Sequence, residues 1–145
     1  MKKWRKILGI LVFLGVVVFA ALQLVRPDIV FKPNPPIVRD AIWPSQEGKD
    51  LARRACFECH SNESTWPWYS YVAPVSWVLA SHVSEGRSNL NFTDWQPGRV
   101  PPPAALEAVI RQKIMPLPEF LLMHPEARLT DQEKEALIVA LKGLK

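Results

Sequence analysis

The sequence predicts an all-α protein with a transmembrane helix at its amino-terminal end. Residues 7–25 carry no charge and contain one strongly polar side chain, Gln23. Further along the chain, apolar residues recur at helical spacing next to helix-capping residues. No run alternates between apolar and polar residues as a half-buried strand would. A chain of 145 residues is long enough for one compact domain and an appendage.

The amino-terminal segment has the length and the flanking charges of a membrane anchor. As a helix, residues 7–25 would rise about 28 Å, close to the thickness of a bilayer core. The basic residues at positions 2, 3, 5 and 6 precede this run. Positive charge on that side orients the amino terminus toward the cytoplasm and exports the rest of the chain. We therefore predict a cytoplasmic tip and transmembrane anchor over residues 1–26.

This orientation predicts a single-pass protein of a bacterial-type cytoplasmic membrane, with its domain on the periplasmic or extracytoplasmic side. A cleaved signal peptide is the alternative, since it too has a basic start and an apolar run. The run is longer than an ordinary signal sequence and no clear A-x-A site follows it, although Ala20 and Ala21 keep cleavage open.

A proline-rich segment follows the anchor, with prolines at positions 27, 33, 35, 36 and 44. Such a composition predicts a semi-rigid, extended linker over residues 27–44. The compact domain then comprises residues 45–145. Its four predicted helices each have a start or stop signal. They run from Ser45 to about Ala55, from Pro74 to about Glu85 with Gly86 as the stop, from Pro102 or Pro103 to about Lys113, and from the capping box Thr130–Glu133 onward.

The net charge of +4 belongs to the anchor region. Five of the 18 basic residues and none of the 14 acidic residues precede residue 27, which leaves 13 basic and 14 acidic residues after it. A domain with balanced charge lacks the basic footprint of a nucleic-acid-binding protein. We therefore expect no nucleic acid among its partners.

Both cysteines of the chain fall in the pentapeptide Cys56-Phe57-Glu58-Cys59-His60, the attachment pattern of c-type haem. Two thiols at this spacing can each add to a haem vinyl group, and the following imidazole can bind the iron. We therefore predict one covalently bound haem c, held by Cys56 and Cys59, with His60 as the proximal iron ligand. The other ring nitrogen of His60 should donate to a backbone carbonyl, for which Pro74 is a weak candidate.

Other uses of the two cysteines fit the sequence less well. A zinc site completed by His60 and by His82 or His124 would usually bring a second pair of ligands, which the chain lacks. A redox dithiol would favour a βαβ context, which is missing as well. A structural disulfide in an oxidising compartment stays open.

The residues around the motif resemble the small monohaem cytochromes c and, more narrowly, a family of membrane-tethered haem-binding domain proteins. The narrower resemblance covers about residues 43–144. It rests on residues 56–62, Trp66-Pro67-Trp68-Tyr69-Ser70, residues 73–77 and Met115-Pro116-Leu117. It implies a small cytochrome c-like helical domain whose first and last helices cross, with Gly48 at their close approach.

For the distal iron ligand the sequence offers Met115, Met123, His82 and His124. Met115 is the predicted ligand. It follows the third helix and precedes Pro116, which resembles the Met-Pro axial ligand of these cytochromes. A thioether ligand raises the reduction potential and suits an electron carrier. His82 is the alternative and would give an iron of lower potential. His124 lies before a proline in a loop and is expected at the surface.

The aromatic residues that follow the motif can be interpreted in two ways. Trp66, Trp68, Tyr69 and Trp77 would either shield a porphyrin or simply pack the domain. Arg87 and Arg99 can pair with haem propionates, although solvated surface arginines are commoner.

Together these features predict a membrane-anchored monohaem c-type cytochrome that transfers one electron at a time. Its expected partners are redox proteins at or outside the membrane, and it is expected to be a carrier rather than an enzyme. The alternative is a haem enzyme or sensor, for example peroxidase-like, with an open or displaceable sixth position. Apart from His82 and His124, the chain supplies few polar side chains for such a distal site.

Overall fold

A computed structural model describes the backbone of residues 2–145 and the side chains from residue 3 onward. Over this range the protein is all-α, as predicted, because it consists of helices and turns without a β-strand. Three short 3-10 turns lie at Trp68–Tyr71, Pro97–Arg99 and Pro125–Ala127. The α-helices are α1 (Lys2–Leu22), α2 (Asp28–Phe31), α3 (Gln46–Ala55), α4 (Phe57–His60), α5 (Val75–Asn89), α6 (Pro103–Arg111), α7 (Pro118–Met123) and α8 (Asp131–Lys142).

The chain forms two compact units. The first unit comprises the residues up to 33 together with residues 66–82, and the second comprises residues 34–65 and 83–145. The segment predicted as a linker, residues 27–44, therefore contributes to both units. The division at residues 26 and 44 stays a prediction.

Helix α1 is the apolar helix of the first unit. Residues 3–22 have a mean hydropathy of 2.3 and none of them is buried. A helix of 20 residues with this composition is long and apolar enough to cross a membrane. A signal sequence near the amino terminus would have the same properties.

The other parts of the first unit pack at the end of α1. The side chain of Gln23 forms two hydrogen bonds with the backbone of Ala73: Ala73 N–H donates to Oε1 at 2.9 Å, and Nε2 donates to the carbonyl at 3.3 Å. Val30 of α2 and Ala73 are buried. The ring of Phe31 meets the ring of Tyr71 edge-on at 5.5 Å between centroids.

The second unit is built on the crossing of α3 and α8. Gly48 of α3 lies so close to Ala140 of α8 that a β-carbon at position 48 would overlap the Ala140 side chain. This is the role that the resemblance to cytochromes implied for Gly48. Below the crossing, Leu51, Ala52 and Leu137 are buried in the apolar core.

Local capping signals fix where these two helices begin. The Oγ of Ser45 accepts a hydrogen bond from the Gly48 N–H at 3.1 Å. The Oγ1 of Thr130 accepts from the Glu133 N–H at 3.2 Å, while the Glu133 carboxylate accepts from the Thr130 N–H at 2.7 Å. Each bond satisfies an amide at a helix start that has no partner within the helix. The predicted starts of α3 and α8 are confirmed.

Part of the proline-rich segment is bonded to the second unit. Val38 N–H donates to the Thr93 carbonyl at 2.9 Å, and Ala41 N–H donates to the Phe92 carbonyl at 2.7 Å. Ile42 N–H donates to the carbonyl of Lys145 at 2.9 Å. Since non-proline residues keep their amides, an extended proline-rich segment can still pair with a neighbour in this way. Residues 38–42 are therefore held in place.

The predicted end of α5 was wrong. Gly86 was expected to stop the helix, yet α5 continues to Asn89. A glycine that ends a helix usually adopts a positive φ, whereas no glycine among the described residues has one. Gly86 stays helical, and its carbonyl accepts from the Leu90 N–H at 2.9 Å.

Candidate functional site

A single helical turn carries both cysteines and His60. Cys56 ends α3 and begins α4, and its carbonyl accepts from the N–H of Cys59 at 3.2 Å and of His60 at 2.9 Å. Residues three positions apart on such a turn lie on one side of it. Both cysteines are free thiols and both are partly exposed. The motif therefore presents two unmodified thiols beside an imidazole.

The surroundings keep both thiols protonated at neutral pH. Burial, helped by the neighbouring Cys59, raises the pKa of Cys56 to about 12. Burial and the nearby Glu58 raise the pKa of Cys59 to about 11, against a smaller opposing effect of Arg87. Nucleophilic dithiol chemistry needs thiolates, so this protonation disfavours it. The residues described here also contain no cluster of three or more His, Cys, Asp or Glu side chains arranged for a metal ion.

The imidazole of His60 is oriented by the end of α5. Its Nδ1 lies 3.0 Å from the carbonyl oxygen of Leu90, the residue just after the helix. Burial lowers the pKa of His60, which favours the neutral ring. With Nδ1 donating to that carbonyl, Nε2 carries the lone pair and is the nitrogen that can bind a metal.

The carbonyl of Pro74 was a weak candidate for this contact, and that expectation was wrong. The Pro74 carbonyl instead accepts from the N–H of Trp77 at 3.1 Å inside the first turn of α5. Leu90 has the advantage of position, because carbonyls at a helix end lack a partner within the helix and seek one outside.

Gly86 allows α5 to approach the motif. A β-carbon at this position would lie 3.0 Å from the carbonyl carbon and 3.1 Å from the β-carbon of Cys59, and closer still to the carbonyl oxygen. Only glycine fits without displacing the backbone of Cys59. Sequence reasoning missed this role because glycine near the end of a helical pattern more often signals the end of the helix.

Arg87 clamps the chain that follows His60. Its Nε donates to the carbonyl of Ser61 at 2.7 Å, and one terminal nitrogen donates to Asn34 Oδ1 at 2.8 Å and Ser64 Oγ at 3.0 Å. The sequence suggested Arg87 and Arg99 as propionate partners. The guanidinium of Arg87 is engaged by these protein groups, and Arg99 donates to Gln96 at 3.3 Å on the surface.

The candidates for the distal iron ligand lie in different settings. Met115 is half-buried in the loop after α6, and its N–H donates to the Val109 carbonyl at 3.1 Å. Met123 is 55% exposed. His82 is half-buried within α5. The Nδ1 of His124 lies 2.8 Å from the Glu126 carboxylate, and its ring stacks on Phe120. The assignment of Met115 over His82 stays a prediction.

The second unit contains two indole groups suited to an acidic ligand. The Nε1 atoms of Trp43 and Trp95 are buried and have no hydrogen-bond acceptor within the described chain. The Trp43 ring packs 5.1 Å from Phe92 and 6.2 Å from Phe57 of α4. A buried N–H without an acceptor costs free energy, so a carboxylate that reached these donors would be stabilised. Sequence reasoning did not single out either tryptophan.

The aromatic residues that do follow the motif in sequence belong to the first unit. Trp68 is 76% exposed, and the Nε1 of Trp77 donates to the Val25 carbonyl at 2.9 Å. Trp77 therefore contacts the end of α1, and Trp68 is largely exposed to solvent.

The residues of the motif fit haem. Covalent haem binding needs two free thiols to react with the vinyl groups and a neutral imidazole with a free nitrogen to bind iron. Hydrogen-bond donors can in addition bind the two propionate carboxylates. Cys56 and Cys59 provide the thiols and His60 the imidazole, while Trp43, whose ring centroid lies 6.2 Å from that of Phe57 in the motif, has an unpaired indole N–H suited to a propionate.

Comparison with known protein families also indicates haem binding. No curated protein and no solved structure is similar enough to the chain to give a match. The model of the haem-binding domain family matches residues 14–142, a range that includes the second half of α1 and both cysteines. Because this match covers most of the chain, the protein belongs to the haem-binding domain family and binds haem.

Proposed function

We propose that the protein is a membrane-anchored monohaem c-type cytochrome that carries single electrons. The observation that supports this most strongly is the turn at Cys56, where two free thiols accompany an imidazole whose Nδ1 contacts the Leu90 carbonyl. Cys56 and Cys59 would hold one haem through thioether bonds, and His60 Nε2 would bind its iron. When bound, haem supplies an iron that alternates between the ferric and ferrous states by one electron.

The role of the chain in this proposal is to bind and orient the group. The contact with Leu90 fixes the tautomer of His60 and the direction of its free nitrogen. Gly86 and Arg87 hold the backbone on either side of His60 through their contacts with Cys59 and Ser61. Electron transfer needs no catalytic acid or base. Contacts that bind and orient the haem are therefore sufficient for this function.

Met115 is the proposed distal ligand. It is half-buried in a loop that follows a core helix, since Leu106 and Ile110 of α6 are both buried. A buried helix can hold the following loop at a fixed position, which an axial ligand needs. Met123, by contrast, is exposed and serves as a matched control.

Helix α1 is the proposed anchor, with the basic amino terminus in the cytoplasm and the haem-binding unit on the outer side of a bacterial-type cytoplasmic membrane. Redox proteins at or outside this membrane would exchange electrons with it. Residues 27–145 have nearly balanced charge, so we expect weak dependence of these reactions on ionic strength.

The test is the absorption spectrum of protein matured with haem, recorded oxidised and reduced. A pyridine haemochrome of thioether type that is lost in the Cys56→Ala, Cys59→Ala double variant would support covalent attachment. A disulfide, zinc or dithiol protein would contain no haem in this assay.

The same preparation tests the distal ligand and the electron-carrier function. We expect a low-spin spectrum, a weak near-infrared sulfur-to-iron band and no response to carbon monoxide. In Met115→Ala the band should vanish and the reduction potential should fall, because the thioether ligand raises it. Met123→Ala should behave as wild type. Carbon monoxide binding to the unaltered, reduced protein would instead support a haem enzyme or sensor with an accessible iron.

A further inference from the structure

Residues 66–78, here called the interfacial segment, are fixed to the end of α1. Ala73 exchanges two hydrogen bonds with the side chain of Gln23, the first residue after the helix. The indole of Trp77 donates a third bond to the carbonyl of Val25, at 2.9 Å. These bonds set the depth of the segment relative to α1.

The interfacial segment presents apolar side chains that are partly or largely exposed. Trp68 is 76% exposed and Tyr71 is 46% exposed, and residues three apart in a 3-10 turn lie on the same side of it. Val75 and Val78, which are 41% and 51% exposed, stand three apart on the first turn of α5. Two pairs of apolar side chains are therefore exposed in a segment that is bonded to the end of α1.

The position of Gln23 indicates what covers this surface. Helix α1 ends at Leu22, just before Gln23, and a helix of this length reaches from one side of a bilayer core to the other. Groups bonded to Gln23 and Val25 would thus lie where the hydrocarbon gives way to headgroups. Tryptophan and tyrosine are enriched at that level because their rings are apolar and their N–H or O–H groups are polar.

Basic groups lie at the same level. The guanidinium of Arg26 is 5.3 Å from the centroid of the Phe31 ring, and Phe31 in turn contacts Tyr71. Lys32 follows one residue later, paired with Asp28 on the surface. Arginine and lysine suit the boundary between acyl chains and headgroups, because their apolar stems can lie along hydrocarbon while their charged ends stay in water.

We propose that the interfacial segment lies in the outer headgroup region of the membrane, with the side chains of Trp68 and Tyr71 among the lipids. This inference rests on the proposed membrane anchor, since without α1 in a bilayer the segment has no reason to meet lipid. It assigns to the aromatic stretch a contact with lipid instead of a contact with porphyrin.

Photochemical cross-linking tests this proposal in the full-length, haem-loaded protein. The photoreactive amino acid p-benzoylphenylalanine replaces Trp68, and in separate variants Tyr71, Phe13 or Val139. Each variant is reconstituted into vesicles of phosphatidylethanolamine and phosphatidylglycerol, irradiated and examined by mass spectrometry for lipid adducts.

Position 13 is the positive control, since it reports on α1 inside the membrane. Val139, which is 69% exposed in the second unit, is an apolar negative control of similar exposure to Trp68. An unchanged visible spectrum verifies that each variant is folded.

The proposal predicts lipid adducts at positions 13, 68 and 71, and only background at position 139. Adducts at 13 without adducts at 68 and 71 would overturn it while leaving the anchor in place. The absence of adducts at 13 would reject the anchor and this inference with it. Adducts at 68 with a second copy of the chain would also overturn it, because they would indicate a protein contact.

Discussion

Replacing Gly86 by alanine sets two opposing effects against each other. In a helix interior, glycine to alanine normally stabilises by about 0.5–1 kcal/mol. Here the new methyl group would lie 3.0 Å from the carbonyl carbon of Cys59 and closer to its oxygen, so backbone must move. Overpacking of this kind costs about 1–3 kcal/mol. We expect overpacking to dominate, with a net loss of about 1–2 kcal/mol in the free energy of unfolding.

The assay is urea unfolding of the haem-loaded protein, followed by circular dichroism. With a slope of about 2 kcal/mol per molar urea, the expected loss lowers the midpoint by roughly 0.5–1 M. Gly98→Ala is the control, since no atom lies within 4 Å of the β-carbon that this change would add. Because the carbonyl of Gly86 accepts from Leu90, whose own carbonyl contacts His60, the variant should also shift the haem spectrum. Equal or greater stability of Gly86→Ala would refute the close approach of α5.

Two further predictions concern groups away from the haem iron. In the same urea titration, Arg87→Lys should lower the free energy of unfolding by about 1–3 kcal/mol, because lysine lacks the forked donors that reach Ser61, Asn34 and Ser64. Arg99→Lys is the control: it changes an exposed contact and should have little effect. The backbone N–H of Thr130 and the guanidinium of Arg54 lower the pKa of Glu133 to about 2. A depressed carboxyl pKa stabilises the fold above the ordinary pKa of 4.5, and this contribution is lost as the pH falls toward about 2. Glu133→Gln should therefore flatten the pH dependence of the urea midpoint in this range, and an unchanged pH profile would argue against the ion pair and capping box.

Features that depend on neighbouring residues in the chain were predicted well. Ser45 and the box formed by Thr130 and Glu133 determine helix starts through bonds that span three residues. The apolar run of α1 and the spacing of Cys56, Cys59 and His60 are likewise local. Such features are encoded within one or two helical turns, so a single sequence is enough to find them.

Features that depend on distant residues were missed or misread. The Leu90 carbonyl reaches His60 across 30 positions, and Arg87 joins segments 26 and 53 residues away. Nothing in the local sequence distinguishes one helix-end carbonyl from another. The bonds of the proline-rich segment to Phe92, Thr93 and Lys145 also reach far along the chain, so its composition alone could not predict them.

Three positions with long-range contacts share one property: each violates a local rule. Gly86 weakens a helix, Gln23 places an amide in an apolar run, and Arg87 is a half-buried charge. In each case the structure supplies a long-range contact that needs that residue type: the Cys59 carbonyl for the glycine, the Ala73 backbone for the amide and the Ser61 carbonyl for the guanidinium. Local violations are expected where function or tertiary contact outweighs propensity. The contacts of Gly86 and Arg87 position the motif that would hold haem, whereas the contact of Gln23 fixes the interfacial segment to α1. Mutations of Gly86 and Arg87 therefore test the second unit, and a mutation of Gln23 tests the first.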